Sequence, residues 1–369
     1  MEGSAPDVLV VGGGLLGWAT AYQLARRGRQ VLVVDDRKPG RATDAGAGIL
    51  APAVAMWPQP GLYEFAMAAM TYYPRLISQL AEDGQPDTGY DPSRILVVAG
   101  SNEERDAYRE LRNRVLDRTP ELVDEVSSSE ARDAFPALAE VHGAMLSEAA
   151  ARVDGRKLTT ALATASMAGG VQALEASVTS LQPAARSVRV GLADGRWLDP
   201  AVVVLAAGAW TPALAEPLGF QLPVAPQRGQ IVHLGVRDDT SGWAIVEGFR
   251  GHYILPWPDG RIVCGATRET GSGYAPSLTV AGQSEVLFEA LRLGPGLADA
   301  SVLEWRVGLR PLSGTGRPWV GALDGFGRVY TATGHGPNGL LLGPYSGYLL
   351  SQAITTGRPV PELAPVLPA

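Results

Sequence analysis

The chain has 369 residues, of which 46% are apolar, and a formal net charge of −7. This length indicates two domains rather than one, and the mild acidity gives no electrostatic reason to expect a nucleic acid or an anionic membrane surface as partner. One cysteine and four scattered histidines exclude an intramolecular disulfide and a cysteine-rich metal site, so we expect no bound metal and a reduced, cytoplasmic setting.

The first apolar segment, residues 8–18, has to be tested as a signal peptide or a membrane helix. The leader before it, MEGSAPD, is acidic, whereas a signal peptide begins with a basic region. Glycines interrupt the segment, and Arg26 and Arg27 follow soon after it, so it is too short and too broken to cross a bilayer. We therefore predict no membrane span.

The same segment has the pattern of a βαβ unit. Residues 8–11 and 30–34 are predominantly apolar runs, which predicts two strands buried on both faces. Between them, residues 15–27 carry apolar side chains at helical spacing and end at Gly28, a natural helix terminator.

A GxGxxG motif, formed by Gly12, Gly14 and Gly17, joins the first strand to the helix. In a dinucleotide-binding unit these glycines permit a tight turn, close approach of a pyrophosphate, and close packing of helix on strand. Asp35 ends the second strand and is the expected partner of the ribose hydroxyls, with Asp36 as the alternative. The order of these features predicts dinucleotide binding, and a purely structural turn is the competing interpretation.

The rest of the chain alternates helical and strand patterns. In chain order we predict helices at 61–80 and 101–118, a capping box at Ser127 and Glu130, a helix at 153–166, a hairpin at Asp194-Gly195, a buried strand at 201–206, antiparallel strands from Val224 with a turn at Asp259-Gly260, a helix at 284–292, a strand at 328–332 and a final helix. The proline-rich end, residues 359–369, is expected to follow the surface.

Parallel-sheet elements thus occur at the start, middle and end of the chain, with antiparallel segments between them. This order predicts an α/β fold, α+β overall, in which a Rossmann-like nucleotide domain is discontinuous and an antiparallel-sheet domain is inserted into it. The nucleotide domain would comprise residues 1–80, 145–215 and 320–369, and the inserted domain residues 81–144 and 216–319.

Six stretches carry a resemblance to a known family: VVGGGLLGWATAYQLARRGRQVLVVD, ATDAGAGILAP, VVVLAAGAW, GHYILPWPDGRIVCGATRETG, WRVGLRPLSGTGRPWVG and ATGHGPNGLLLGP. In order and spacing they resemble the flavin-dependent amine and amino-acid oxidases, the family of glycine oxidase, D-amino-acid oxidase and sarcosine oxidase, and are nearest to the glycine oxidases of the thiamine pathway. The resemblance implies that the nucleotide is FAD and that the inserted domain binds the substrate.

The resemblance also implies which residues contact FAD. They are Gly12, Gly14, Leu15, Leu16, Gly17, Asp35, Asp36, Thr43, Ala45, Gly46, Ala47, Gly48, Val178, Ala207, Gly208, Trp210, Arg310, Gly334, His335, Gly336, Asn338, Gly339 and Leu340. The competing interpretations are a tightly packed loop at residues 43–48 and a buried core histidine at His335. Cys264 lies on a predicted strand, away from the GHGPN turn, so we expect the flavin to be non-covalent.

Arg310, in GLRPLSG, matches the family's arginine that binds the substrate carboxylate, and Tyr253, in HYILPW, matches a tyrosine that helps to hold it. A guanidinium suits this role because it forms two parallel charge-assisted hydrogen bonds to a carboxylate. The competing interpretations are a surface salt bridge for Arg310 and a core position for Tyr253. Pro337 stands where similar glycine oxidases tend to carry arginine, which favours an N-substituted glycine or a neutral D-amino acid over glycine itself.

The implied reaction is oxidative deamination of a small amino acid, which is glycine, an N-substituted glycine or a neutral D-amino acid. Hydride passes to flavin N5, the imine is hydrolysed to a 2-oxo acid, and O2 is reduced to H2O2. No nucleophile or metal is needed because the cofactor carries the chemistry. The alternatives are an FAD-dependent dehydrogenase with another acceptor, an NAD(P)-dependent reductase and a non-catalytic FAD-fold binding protein. The expected partners are a small amine or amino acid and O2, and self-association into a homo-oligomer is compatible with the sequence.

Overall fold

The computed structural model describes residues 6–184, 188–323 and 328–368. The strands are Val8–Val11 (β1), Val31–Asp35 (β2), Ile49–Leu50 (β3), Asp91–Val98 (β4), Asp124–Glu125 (β5), Ala144–Arg152 (β6), Gln172–Glu175 (β7), Val178–Pro183 (β8), Val188–Leu192 (β9), Trp197–Leu198 (β10), Val202–Leu205 (β11), Val224–Gly235 (β12), Ile245–Gly248 (β13), Tyr253–Pro256 (β14), Arg261–Gly265 (β15), Glu269–Thr270 (β16), Ser301–Ser313 (β17), Trp319–Ala322 (β18) and Val329–Thr333 (β19). The α-helices are Leu15–Ala25 (α1), Leu62–Glu82 (α2), Arg105–Arg118 (α3), Ser128–Ala134 (α4), Gly155–Ala168 (α5), Thr211–Ala215 (α6), Val280–Leu293 (α7) and Gly339–Thr356 (α8).

The first sheet has the strand order β18-β19-β11-β1-β2-β7 and is parallel except for the antiparallel pair β18–β19. Its central strand β1 is apolar on both faces because both are covered. Val8 and Val10 pack with α1, α2, α5 and α8, whereas Leu9 and Val11 pack against β8 and β9 of a small three-stranded sheet. The predicted βαβ unit at the start of the chain is confirmed.

The second sheet is larger and has the order β16-β12-β15-β14-β13-β4-β6-β3, with β17 also paired to β12 and β5 to β6. Its pairs are antiparallel except β13–β4, which is parallel, so the predicted antiparallel sheet is in fact mixed. Side chains of β4 alternate between the two faces. Leu96 and Val98 pack with α4 and α7, and Ile95 and Val97 pack with α3.

Two local predictions are confirmed in detail. Ser127 Oγ accepts a hydrogen bond from the Glu130 N–H at 3.2 Å, and a Glu130 carboxylate oxygen accepts one from the Ser127 N–H at 2.7 Å, which forms the capping box at the start of α4. The Asp194-Gly195 turn links β9 to β10, and the Asp259-Gly260 turn links β14 to β15.

Two strands, the two-residue β3 and the nine-residue β6, fall outside the predicted division. β3 and β6 pair with each other, and β6 pairs with β4, so both belong to the second sheet although residues 49–50 and 145–152 were assigned to the nucleotide domain. The division into two domains stays a prediction, and the pairing favours a boundary after Arg152.

Most of the proline-rich end lies at the surface as expected, but the expectation is wrong for two of its apolar side chains. Leu363 and Val366 are 1% and 0% exposed and pack into the cluster that contains α2 and α8. Residues Pro361–Val366 form a 3-10 helix, in which side chains three apart lie on the same side. The prolines therefore fix a turn that anchors the chain end to the core.

Across the described ranges, none of the helices is both long enough and apolar enough to pass through a lipid bilayer. The same ranges contain no group of three or more His, Cys, Asp or Glu side chains placed to hold a metal ion.

Candidate active site

A cavity of about 500 Å³ opens beyond the carboxyl ends of β1, β2, β11 and β19. This is the edge at which open α/β sheets bind their ligands. The cavity continues to the second sheet, where residues of β12, β13, β14 and β17 complete its wall. One continuous space therefore joins the glycine motif to the predicted substrate residues.

The turn between β1 and α1 requires its glycines for different reasons. Gly12 has φ +108°, and a Cβ there would come within 2.5 Å of Ala206 O. A Cβ on Gly17 would overlap Gly12 O, so Gly17 permits helix–strand packing and lies behind the cavity wall. A Cβ on Gly14 would meet nothing closer than Thr43 Oγ1 at 3.6 Å, which shows that Gly14 borders open space.

Two helices begin at the cavity. Neither α1 nor α8 has a capping side chain or an acidic residue in its first turn. Residues 13–16 and 336–341, which include these N-termini, line the cavity. The Leu15 N–H at the start of α1 donates to Thr43 Oγ1 at 3.3 Å. The other N–H groups of the first turns and the positive end of each helix dipole favour negative charge at both places.

Two acids lie where β2 ends, and both line the cavity. Asp35 pairs with Arg41 at 2.8 Å. Asp36 accepts a hydrogen bond from Ser177 at 2.6 Å and pairs with Lys38 at 3.0 Å. Burial alone would raise the pKa of Asp36, but these contacts outweigh it and hold the pKa below its usual range.

Of the two acids, Asp35 is the one that packs against the glycine motif. A Cβ added to Gly13 would lie 2.8 Å from its carboxylate, so the side chain packs directly beside the turn. This contact favours Asp35 as the ribose ligand, which stays a prediction.

His335 combines the two roles that the sequence left open. It is buried and lines the cavity. Its Nε2 lies 3.0 Å from Ser346 Oγ, whose hydroxyl is within hydrogen-bond distance of Leu342 O at 2.9 Å. Burial lowers the pKa of His335 to about 3. The imidazole is therefore neutral at physiological pH.

At the opposite end of the cavity, Arg310 projects from β17 and its Nη1 donates to Thr267 O at 2.9 Å. The guanidinium lies over Gly229, where a Cβ would collide with it. Burial lowers the pKa of Arg310. Within the part of the chain that the structure describes, no carboxylate forms an ion pair with it, so the alternative of a surface salt bridge is wrong.

Tyr253 begins β14 and lines the cavity together with Arg310. Burial raises the pKa of Tyr253 to about 12, although the nearby charge of Arg310 opposes the shift. The phenol therefore keeps its proton and is available as a hydrogen-bond donor. The side chain is half-buried, packs against the core cluster of the second sheet and also borders the cavity, so a core position and a substrate contact are compatible.

The predicted site residues converge. Apart from Gly17 and Gly334, every predicted residue lines the cavity. Gly334 has φ +78° and packs beside Ser313 and Val224, so it shapes the turn after β19 instead.

Sequence reasoning missed other residues of the wall: Lys38, Arg41, Trp57, Glu247 and Arg268. Arg41 and Arg268 lie beside or within stretches that carried the resemblance, and that position was the available signal. Glu247 had none, because the pairing of β13 with β14 is what sets it opposite Tyr253.

Residues 7–353 match the model of the DAO family, described as FAD dependent oxidoreductase. The chain belongs to this family. The resemblance inferred from the sequence is thereby confirmed, and this DAO-family member is an FAD-dependent oxidoreductase of the class that acts on amines and amino acids. Family membership supports neither an NAD(P)-dependent reductase nor a non-catalytic binding protein.

Relatives cover nearly the whole DAO-family chain. A glycine oxidase of Pseudomonas aeruginosa is 32% identical over 367 residues, with 98% of each chain covered. The crystal structure of an iminodiacetate oxidase from Chelativorans sp. BNC1 is 36% identical, with a TM-score of 0.91 and 98% of each chain covered. A glycine oxidase from Geobacillus kaustophilus is 27% identical, with a TM-score of 0.90 and the same coverage.

The cavity of this DAO-family enzyme fits FAD. Beside the open space at Gly14, a Cβ on Gly208, which has φ +56°, would meet no protein atom within 4 Å. The backbone at both glycines can therefore be approached closely by a ligand. The uncapped N-termini of α1 and α8 suit the pyrophosphate and the electron-rich edge of a reduced flavin, respectively.

Proposed function

We propose that this DAO-family enzyme oxidises the C–N bond of a small amino acid, namely an N-substituted glycine or a neutral D-amino acid. The resulting imine is hydrolysed to a 2-oxo acid and an amine. The observation that carries the proposal is the single cavity that contains the dinucleotide turn at one end and Arg310 with Tyr253 at the other.

Arg310 and Tyr253 are the groups that bind and orient the substrate. One N–H of Arg310 donates to Thr267 O, and the remaining N–H groups of its guanidinium are available for two parallel hydrogen bonds to a carboxylate. The Tyr253 hydroxyl, which stays protonated, supplies a further donor. Both groups hold the substrate by its carboxylate. These side chains therefore contribute to catalysis by orienting the substrate rather than by reacting with it.

The bound FAD would supply the redox chemistry by accepting a hydride from the substrate α-carbon and returning the electrons to O2 as H2O2. In the proposed arrangement the first turn of α1 holds the pyrophosphate, Asp35 holds the ribose, and residues 43–48, 207–210 and 335–340 surround the flavin. Location in the cytoplasm and self-association are further predictions.

The substrate class follows from the wall near the α8 N-terminus. Pro337 lines the cavity and carries no charge there. The relatives include glycine oxidases and an iminodiacetate oxidase, that is, enzymes named for glycine and for an N-substituted glycine. Without the arginine that similar glycine oxidases tend to carry at residue 337, plain glycine is the less favoured of the two.

Anaerobic flavin reduction tests the proposal. Purified holoenzyme is mixed with glycine, sarcosine, iminodiacetate, D-alanine and D-proline without oxygen, and flavin absorbance is followed. We expect an N-substituted glycine to bleach the flavin fastest. No bleaching by any of these compounds would overturn the proposed substrate class.

The acceptor needs a separate measurement. Oxygen uptake with equimolar peroxide supports an oxidase. Slow reoxidation by O2 and fast reoxidation by a quinone would instead support a dehydrogenase, and a D-amino acid dehydrogenase of Methylobacterium sp. is 31% identical over 407 aligned positions.

A further inference from the structure

Arg268 gives the substrate end of the cavity a second cation that the family motifs do not account for. It lies between β15 and β16 and lines the same cavity as Arg310 and Tyr253. The positive charge of Arg268 acts on both neighbours. Burial is the main cause that lowers the pKa of Arg310, and the charge of Arg268 lowers it further. Burial raises the pKa of Tyr253, and the charge of Arg268 opposes that rise.

Each of the two guanidinium groups lies over a glycine. Arg310 lies over Gly229, and Arg268 lies over Gly251, where an added Cβ would overlap Nη1. Arg268 Nη1 also donates to Gly251 O, which fixes the guanidinium against the loop between β13 and β14. The chain therefore holds Arg268 in place without using most of its donors.

Neither guanidinium is neutralised by a partner. In residues 6–184, 188–323 and 328–368, no carboxylate lies within ion-pair distance of Arg268 or Arg310, whereas Lys38 and Arg41 at the nucleotide end are paired with the acids that follow β2. Two unpaired cations that repel each other favour a ligand with two negative charges.

Glu247 is the acid that faces this end of the cavity. Burial raises the pKa of Glu247, and the charge of Arg268 offsets the rise only in part. Within the described residues no ion pair joins Glu247 to Arg268, although both line the cavity. Arg268 and Arg310 therefore leave this end of the cavity with more positive than paired negative charge.

We propose that Arg268 binds a second carboxylate of the substrate, so that the preferred substrates are N-carboxyalkyl glycines, secondary amines with a carboxylate on each side of the nitrogen. This inference rests on the proposed function, in which Arg310 and Tyr253 hold the first carboxylate. Arg268 is exposed where it borders the cavity, which places the second carboxylate at the cavity mouth.

Two matched substrates test the proposal. Iminodiacetate and sarcosine share the N-substituted glycine, and sarcosine lacks the second carboxylate. We expect Arg268→Gln to lower kcat/KM for iminodiacetate about 10- to 100-fold, the usual effect of losing hydrogen bonds to a charged group. The value for sarcosine should change less than about fivefold. Arg268→Lys, which keeps the charge without the planar fork, should lie between the wild type and Arg268→Gln.

A binding measurement excludes effects on turnover. Thiodiacetate and (methylthio)acetate carry sulfur in place of the nitrogen and have no C–N bond to oxidise. Calorimetric titration of the holoenzyme should show that Arg268→Gln lowers the binding affinity for thiodiacetate but leaves the affinity for (methylthio)acetate unchanged. Gly251→Ala should reproduce this loss because it displaces the guanidinium. Arg94→Gln is the matched control, since Arg94 also donates to a glycine carbonyl but does not line the cavity.

The outcomes separate the two proposals. If no amino acid reduces the flavin, the proposed function fails. If sarcosine and iminodiacetate reduce it equally well in both wild type and Arg268→Gln, the function stands and the role of Arg268 is wrong. If D-aspartate is preferred to iminodiacetate in an Arg268-dependent manner, the second carboxylate lies on the carbon side and the N-carboxyalkyl assignment is overturned.

Discussion

Arg310 is held in the cavity wall with its charge unbalanced by any described carboxylate, and this makes it the residue on which substrate affinity should depend most. Replacing it by alanine leaves the substrate carboxylate without its charged donor. We expect Arg310→Ala to raise the dissociation constant for the substrate about 10- to 100-fold, because hydrogen bonds between charged groups contribute roughly 1.5–3 kcal/mol. Rapid-mixing measurements of anaerobic flavin reduction give this constant directly.

The matched control for Arg310 lies on the same strand. Arg306 projects from β17 and pairs with Glu304 at 2.8 Å, but it does not line the cavity. Arg306→Ala should leave the dissociation constant unchanged, and FAD content should be normal in both variants. An unchanged constant in Arg310→Ala would show that the carboxylate binds elsewhere.

How far single residues were predictable depended on the signal that each carries. Arg310 and Tyr253 lie within stretches that resemble a family, so the sequence identified them. Arg268 lies in such a stretch too, but no motif distinguishes it from an ordinary exposed arginine. Glu247 reaches the cavity only because β13 pairs with β14, and sequence periodicity does not specify strand partners.

At the scale of elements, the turn from β1 to α1 permits a test that separates folding from cofactor binding. Gly17→Ala places a Cβ against Gly12 O, so we expect loss of both protein stability and FAD. Gly14→Ala places its Cβ in open cavity space. This variant should fold normally and bind FAD at least tenfold more weakly, since the methyl group lies where the pyrophosphate approaches the backbone.

Thermal unfolding of the apoproteins and titration with FAD distinguish the two glycine variants. The expected pattern is a lowered Tm for Gly17→Ala alone and a weakened FAD affinity for both. A Gly14→Ala protein with wild-type affinity would mean that the dinucleotide does not cross this turn.

The chain end offers a second test at this scale. Leu363 and Val366 are buried against the cluster of α2 and α8. Leu363→Ala should lower the free energy of unfolding by about 2–5 kcal/mol, the usual cost of emptying a buried leucine site. Leu367→Ala is the control because Leu367 is 45% exposed. Its free energy of unfolding, measured by denaturant titration, should be close to that of the wild type. Equal stability of the two variants would contradict the anchoring role.

At the scale of the whole molecule, the order of parallel and antiparallel patterns was enough to predict a parallel sheet and a second sheet rich in antiparallel pairs, whereas the residues of the cavity came from the family resemblance. The membership of β3 and β6 was not predictable in the same way. A strand of two residues, such as Ile49–Leu50, has no periodicity to detect, and its place in the second sheet is set by pairing with Ala151 and Arg152 about a hundred residues away.

Acid sensitivity is the expected property of the molecule as a whole, because one buried neutral histidine lies in each half. Burial lowers the pKa of His335, beside the first sheet, to about 3, and that of His233, on β12 of the second sheet, to about 4. The unfolded chain, with a histidine pKa of about 6.5, therefore binds these protons first as the pH falls. Their contribution to stability is complete above that pH and is lost progressively below it, down to the folded pKa of each group.

As the pH falls from 6 to 5, each histidine should lower the free energy of unfolding by about 1.2 kcal/mol, close to the limiting slope of about 1.4 kcal/mol per pH unit. Glu247 acts in the opposite direction, because its pKa is raised by burial, so the histidine effect is best isolated by comparing variants. His233→Gln should have a pH dependence shallower than the wild type by about 1.2 kcal/mol between pH 6 and 5. Urea unfolding of the holoenzyme at pH 7, 6 and 5 measures both slopes. Parallel curves for the two proteins would show that His233 is already protonated in the fold, contrary to its burial.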